Sequence, residues 1–332
     1  MKTFRAAYKK DDIGNDIYAR VSWSEDAGDS PRPIGEQADD SCGERRWANE
    51  IALIYHGGGL LIGSSEIIPK PQIEWLASQG FAVVIPNYRL APQVDGKTAY
   101  RDCEHAYEWS VSSLAEIMSA QHAVKLDSTR VVSMGHSTGG TIALHIGATK
   151  AIKAVTAFYP SLYFADKTTS SHLPCTAPPF GQMPDFEPSE EDWKLIKPEG
   201  QQLSEAPLAA PGTAVPPPRN KWQMSILKKG AWLKAICPDG DFSAIDPLSR
   251  LGSHWPPVML VQGDMDNVPG SSLDLVQRAV KDMEAAGVKE VVVKVVPGET
   301  HMFDLPPMVG TSDLGPKWQA VVAGLSFLKS HV

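Results

Sequence analysis

The chain has 332 residues, 42% of them hydrophobic and 21% charged, an ordinary globular composition with enough length to bury a sizeable core. Its net charge is −8, with acidic and basic residues interspersed, which argues against a nucleic-acid footprint and leaves the acidity as a solubility feature. No apolar run approaches the roughly 18 residues of a membrane span, and residues 1–12 lack the apolar core of a signal peptide, so a cytoplasmic protein with no membrane span is expected. Cys42, Cys103, Cys175 and Cys237 are far apart and form no Cys-x-x-Cys pair. They read as reduced, unpaired thiols.

Residues 26–48 are polar, rich in Pro, Gly, Asp and Glu, and read as an exposed loop. Structure then begins abruptly. Residues 51–55 form a short continuous apolar run stopped by glycines, as a buried parallel strand would be. Similar runs at 81–85, 130–134, 154–158, 258–261 and 291–296 predict five more strands. Between them, helical spacing predicts helices over 71–78, 99–122, 141–149, 273–286 and 317–328. Strands alternating with helices predict a mostly parallel α/β sheet flanked by helices on both faces. Residues 162–250 break this rhythm with many prolines and one helix candidate over 222–236. An insertion this long reads as a cap or lid. The expected organisation is therefore one α/β domain (49–161 with 251–332), a cap (162–250) and an N-terminal segment (1–48).

The run Gly135-His136-Ser137-Thr138-Gly139 sits between a predicted strand and a predicted helix. A serine nucleophile needs a sharp turn with small neighbours, and Gly-x-Ser-x-Gly supplies it. The helix N-terminus beyond it favours developing negative charge. Upstream, His56-Gly57-Gly58-Gly59 directly follows a predicted strand. Consecutive glycines let amides approach a substrate oxygen, so the amides of Gly58, Gly59 and Thr138 are the expected oxyanion hole.

In this arrangement the base and its orienting acid follow the nucleophile in the order acid, then histidine. Strand 258–261 runs into Asp264 and Asp266, and strand 291–296 runs into His301. Both lie at carboxyl ends of strands, where open α/β sheets place their crevice. Asp266 is preferred as the acid because Asp264 suits a turn-capping role, its side chain bonding the backbone two residues on. His301 is the expected base. His136 is expected to point away within the turn, and His56 to serve as a structural hydrogen-bonder. Leu60, Trp222, Trp232 and Leu233 are candidates for an apolar substrate pocket, with cap core as the alternative role of the tryptophans.

These pieces, with Asn87-Tyr88-Arg89-Leu90-Ala91-Pro92, resemble the hormone-sensitive-lipase-like carboxylesterases of the α/β-hydrolase fold. The resemblance spans 51–331 in the family's order. It implies an α/β-hydrolase fold with a cap to which the N-terminal segment can contribute, and a serine esterase whose nucleophile, acid and base fall on Ser137, Asp266 and His301. It assigns no catalytic role to the Tyr88–Pro92 turn. Here His136-Ser137-Thr138 stands where the family commonly has Asp-Ser-Ala, and Gln93 stands where an acidic residue is usual. Such chemistry calls for no metal and no cofactor. The expected partner is a small ester-like molecule, with a homodimer left open. Two alternatives stand beside ester hydrolysis. One is a dedicated biosynthetic step on the same triad, such as lactone opening, acyl transfer, deacetylation or cyclisation. The other is non-catalytic ligand binding.

Overall fold

The computed structural model describes residues 1–24, 49–178, 180–209, 215–305 and 315–332. The expected loop at 26–48 therefore lies outside the described residues. Eight strands form one sheet: β1 (Lys2–Lys10), β2 (Asp16–Trp23), β3 (Asn49–Tyr55), β4 (Phe81–Pro86), β5 (Leu126–His136), β6 (Val155–Phe158), β7 (Val258–Gly263) and β8 (Val291–Val296). Their spatial order is β1-β2-β4-β3-β5-β6-β7-β8. Pairing is antiparallel from β1 through β2 to β4 and parallel from β4 to β8.

Side chains alternate across a strand, so a fully apolar strand feeds two cores at once. On β3, Ile51, Leu53 and Tyr55 enter one core while Ala52 and Ile54 enter the other. On β7, Val258 and Leu260 part in the same way from Met259 and Val261. The first core is roofed by α2 (Gly96–Val111), α4 (Thr138–Thr149) and α8 (Leu273–Ala285). The second is closed by α1 (Lys70–Ser78) and α9 (Gly315–Lys329). Each fully buried Val, Leu or Ile contributes about 1.5–3 kcal/mol, so this three-layer arrangement carries most of the driving force. The result is the mostly parallel sheet flanked by helices that the alternating rhythm predicts.

Three details depart from the sequence-based expectations. The N-terminal stretch, where no strand is expected, forms the β1–β2 hairpin on the sheet edge. It also reaches the 162–250 segment through Arg5–Glu205 and Gln202–Asp12. The single helix expected at 99–122 is two, α2 and α3 (Ser113–His122). At the break the Ser112 hydroxyl donates to the Glu108 carbonyl, 2.7 Å away, a local bond that competes with helix continuation. The helix expected at 222–236 is likewise two, α6 (Pro218–Lys228) and α7 (Trp232–Ile236), separated at Gly230, whose φ is +67°. Residues with φ above zero end a helix, and glycine takes that conformation at little cost.

Between β6 and β7 the chain leaves the sheet and carries α5 (Glu190–Ile196), α6 and α7. Trp222, Leu227, Trp232, Leu233 and Ile236 of this segment join the first core. Among the described residues, no helix is long and apolar enough to cross a membrane. Cys103, Cys175 and Cys237 are free and buried, while Cys42 lies outside the described residues.

Candidate active site

The end of β5 turns sharply into α4, and Ser137 is the turn. Its backbone sits at φ 56°, ψ −128°, a conformation that non-glycine residues hold only where the surroundings enforce it. The surroundings here are close. A Cβ on Gly135 would lie 2.1 Å from the Gly139 carbonyl oxygen, and one on Gly139 would lie 2.1 Å from the Tyr55 oxygen. Both flanking glycines are therefore sterically required. The Ser137 amide donates to the Phe158 carbonyl at 2.9 Å, which ties the turn to β6.

The loops after β7 and β8 deliver the partners. His301 Nε2 is 2.9 Å from Ser137 Oγ, and His301 Nδ1 is 2.7 Å from Asp266 Oδ2. The Asp266 side chain is fully buried. It is also held by Gln262, whose amide donates at 3.0 Å, and by the Val268 amide at 3.0 Å. It is thus Asp266 that caps the backbone two residues on, the role expected of Asp264. Asp264 instead accepts the Gly298 amide at 2.7 Å and joins the two loops. An acid on one imidazole nitrogen fixes the tautomer that leaves the other free to take a proton from the serine.

The glycine loop packs directly on this turn. A Cβ on Gly57 would meet the His136 oxygen at 2.8 Å, and one on Gly58 would lie 2.1 Å from the Ile62 oxygen. The Gly59 amide donates to Thr138 Oγ1 at 3.0 Å. Thr138 entered the expected hole through its backbone alone. Its hydroxyl stands where the Gly59 amide points, a contact that the sequence reading missed because it requires the loop and the turn to meet in space. His56 is fully buried, stacked on Tyr88 with ring centres 4.2 Å apart and Nδ1 2.8 Å from the Gly57 oxygen. Desolvation lowers its pKa to about 4.

His136 points away from Ser137 Oγ into a buried polar cluster. Its Nε2 lies 2.9 Å from Gln72 Oε1 and 3.1 Å from Asp304 Oδ2. Asp304 also accepts from Tyr159 at 2.5 Å and from Gln72 Nε2 at 2.6 Å. The Tyr159 ring stands edge-on to His301, with centroids 4.7 Å apart. Burial by itself would raise the Asp304 carboxyl; His136, Tyr159 and Gln72 outweigh it and hold the group below its ordinary value.

The four pocket candidates are all buried, and each packs into the first core. Trp222 stands edge-on to Trp193, and Leu60 lies against Gly96. Leu233 is core, and Trp232 packs edge-on to Phe164 while its indole N–H donates to the Gly59 carbonyl at 2.9 Å. Their contacts are packing contacts within the first core and, for Trp232, the one bond to the glycine loop. Among the described residues no group of His, Cys, Asp and Glu is arranged to hold a metal ion.

With fold and site in view, the chain belongs to the alpha/beta hydrolase fold family, whose model matches residues 52–219. Its curated relatives include the non-reducing polyketide synthase ausA of Aspergillus calidoustus, 29% identical over 336 residues and 85% of this chain. The non-reducing polyketide synthase mapC' of Penicillium brevicompactum is 30% identical over 319 residues and 85% of this chain. The methylphloroacetophenone synthase of Cladonia uncialis is 28% identical over 84%. This chain spans 13%, 14% and 12% of the length of those three proteins, so the likeness is to one segment of each. Among solved structures, the propionate-bound thermophilic esterase Est2 of Thermogutta terrifontis aligns with a TM-score of 0.61 at 17% identity. That alignment covers 99% of this chain and 94% of the esterase, a likeness of fold.

Proposed function

We propose that the protein is a serine hydrolase that cleaves a carboxylic ester through an acyl-enzyme on Ser137. The observation that carries this reading is the hydrogen-bonded line from Ser137 Oγ through His301 to Asp266, at 2.9 and 2.7 Å. Ser137 Oγ attacks the carbonyl carbon as its proton passes to His301 Nε2. Asp266 orients the ring and stabilises the imidazolium. The tetrahedral oxygen takes its hydrogen bonds from the Gly58, Gly59 and Thr138 amides. For Gly59 this exchanges the resting bond to Thr138 Oγ1 for one to the oxyanion. Collapse expels the alcohol, which leaves with the proton from His301, and water then repeats the sequence on the acyl-serine.

The 162–250 segment acts in this reading as a cap over the site. A short-chain p-nitrophenyl ester is the direct substrate test. The expected result is a burst of p-nitrophenol stoichiometric with enzyme, followed by slower steady turnover, the kinetic signature of an acyl-enzyme. A linear release indistinguishable from that of Ser137→Ala would overturn the reading.

A second reading is favoured by the relatives, all three of them synthases and two named as polyketide synthases. The same triad would then serve a dedicated step on a polyketide acyl group held as an ester or thioester, released to water or to a hydroxyl or carbon nucleophile. Comparing p-nitrophenyl butyrate with a β-ketoacyl N-acetylcysteamine thioester distinguishes the two. A kcat/KM at least 10-fold higher on the thioester favours the biosynthetic role, and the reverse favours a general esterase.

A further inference from the structure

The glycine loop is gripped from the far side by the inserted segment. On α6, Gln223 Nε2 donates to the Gly58 carbonyl at 3.0 Å, and Arg219 Nε donates to the Leu61 carbonyl at 2.5 Å. On α7, Trp232 Nε1 donates to the Gly59 carbonyl. Three carbonyls of one short loop are thus held by three side chains of a segment remote in sequence.

The Gly58 contact differs from the others in what it controls. The Gly58 carbonyl and the Gly59 amide belong to one peptide plane, and in a trans peptide the C=O and N–H point in opposite directions. Holding the oxygen from one side aims the N–H to the other. On that other side the Gly59 N–H meets Thr138 Oγ1, beside Ser137. A continuous chain therefore runs from the Gln223 amide through the Gly58–Gly59 peptide to the serine turn. Both glycines sit at positive φ, 116° and 68°, where the backbone has wide conformational freedom and no side chain of its own to lock the plane. Within the loop the Gly58 oxygen accepts from the Leu61 and Ile62 amides at 3.1 Å each. Gln223, 7% exposed, adds from the inserted segment the one side-chain donor on that oxygen among the described residues. Hydrogen bonds in such a line also polarise one another, so a bond to the carbonyl strengthens the N–H as a donor.

Arg219 anchors the gripping helix. Among the described residues its hydrogen-bond partners are the Leu61, Ala91 and Ile196 carbonyls and Gln93 Oε1, with no carboxylate. A buried guanidinium satisfied by carbonyls alone binds the glycine loop, the Ala91 turn and α5 to α6 at a single point. Gln93 stands where the family commonly has an acid; here its neutral amide oxygen completes that set and its own amide donates to the Ile196 carbonyl at 3.0 Å.

We propose that Gln223 is a positioning residue for catalysis: it sets the plane of the Gly58–Gly59 peptide so that the Gly59 amide faces the oxyanion, which makes the inserted segment part of the oxyanion hole. This rests on the hydrolase reading above. Loss of a whole oxyanion donor costs on the order of 10²–10³ in rate. Releasing the plane without removing the donor should cost less. Gln223→Met, similar in size and without a donor, is expected to lower kcat about 10- to 100-fold while KM stays within about threefold. Gln223→Glu, which turns a donor into an acceptor facing the carbonyl, should lose at least as much.

Ser225→Ala serves as the packing control. Ser225 lies on the same helix and donates to the Phe186 carbonyl, away from the glycine loop. It is expected to lower the melting temperature and leave kcat within twofold. Should Gln223→Met not fold, Gln223→Glu carries the same readout. Wild-type kcat in the folded Gln223 variants, or a loss confined to KM, would overturn the proposal while leaving the hydrolase reading intact. Absence of esterase and thioesterase turnover in the wild type would instead remove the reading on which it rests.

Discussion

His301→Ala and Ser137→Ala are each expected to lower kcat by about 10⁶, and the double variant to lose no more than either one alone. The physical reason is that in the proposed mechanism Ser137 and His301 act as a unit. A serine hydroxyl with no base within reach is a poor nucleophile at neutral pH, and a base with no serine has nothing to activate. Their atoms are 2.9 Å apart, so removing either ends the same step. A residual rate above that in water should survive in all three variants, because the amides of the glycine loop still favour a tetrahedral oxygen. Steady-state rates of the three variants on one activated ester check this. Losses that add in free energy, giving a double variant far below either single one, would mean that the two side chains serve separate steps.

Asp304→Asn is expected to be the most damaging isosteric change for stability. Three donors converge on that carboxylate, from Tyr159, Gln72 and His136, and an amide would present N–H groups to donors. Breaking a buried charged cluster in this way costs about 3–5 kcal/mol. The pH dependence carries a definite sign. The Asp304 carboxyl is depressed in the folded protein, so its stabilisation is fully present above the unfolded value of about 3.9 and is lost as pH falls through the lower folded value. The stability difference between wild type and Asp304→Asn should therefore be present at about pH 5 and shrink below about 4. Denaturant midpoints across that range measure it. A difference that grows as pH falls below about 4 would contradict the assignment. Because Tyr159 bridges Asp304 and the His301 ring, the folded fraction of this variant should also show a lowered kcat.

The legible parts of this protein are those whose geometry is local. The glycines flanking Ser137 fall within one five-residue run, and a Cβ on Gly135 would lie 2.1 Å from the Gly139 oxygen inside the same strand–turn–helix unit, so the chemistry appears as a contiguous pattern. Asp266 and His301 lie at carboxyl ends of adjacent parallel strands, and an alternating α/β rhythm is enough to bring those ends together. The β1–β2 hairpin left a usable signal in the alternation of Phe4, Ala6 and Tyr8 and of Ile17, Ala19 and Val21. Its half-exposed edge dilutes that alternation with lysines and arginines, unlike the continuous apolar runs of the central strands.

Gln223, Arg219 and Asp304 belong to another category. A glutamine on a polar-looking helix and an aspartate beyond a catalytic loop carry no periodicity. Their roles arise only when α6 settles on the glycine loop and Gln72 reaches the end of β5. Tryptophans at helical spacing draw attention to α6 and α7, and the polar contacts of those helices with the glycine loop come from Trp232 itself and from Gln223 beside Trp222.

Labelling with a fluorophosphonate, followed by mass spectrometry of the tryptic peptides, tests Ser137 as the activated nucleophile most directly. Phosphonylation requires both an activated serine and an oxyanion site, and it is indifferent to the identity of the natural substrate. The expected result is one adduct per chain on the peptide containing Ser137, absent from Ser137→Ala and strongly slowed in His301→Ala and Gln223→Met. An unlabelled wild type, or an adduct that persists in Ser137→Ala, would contradict it.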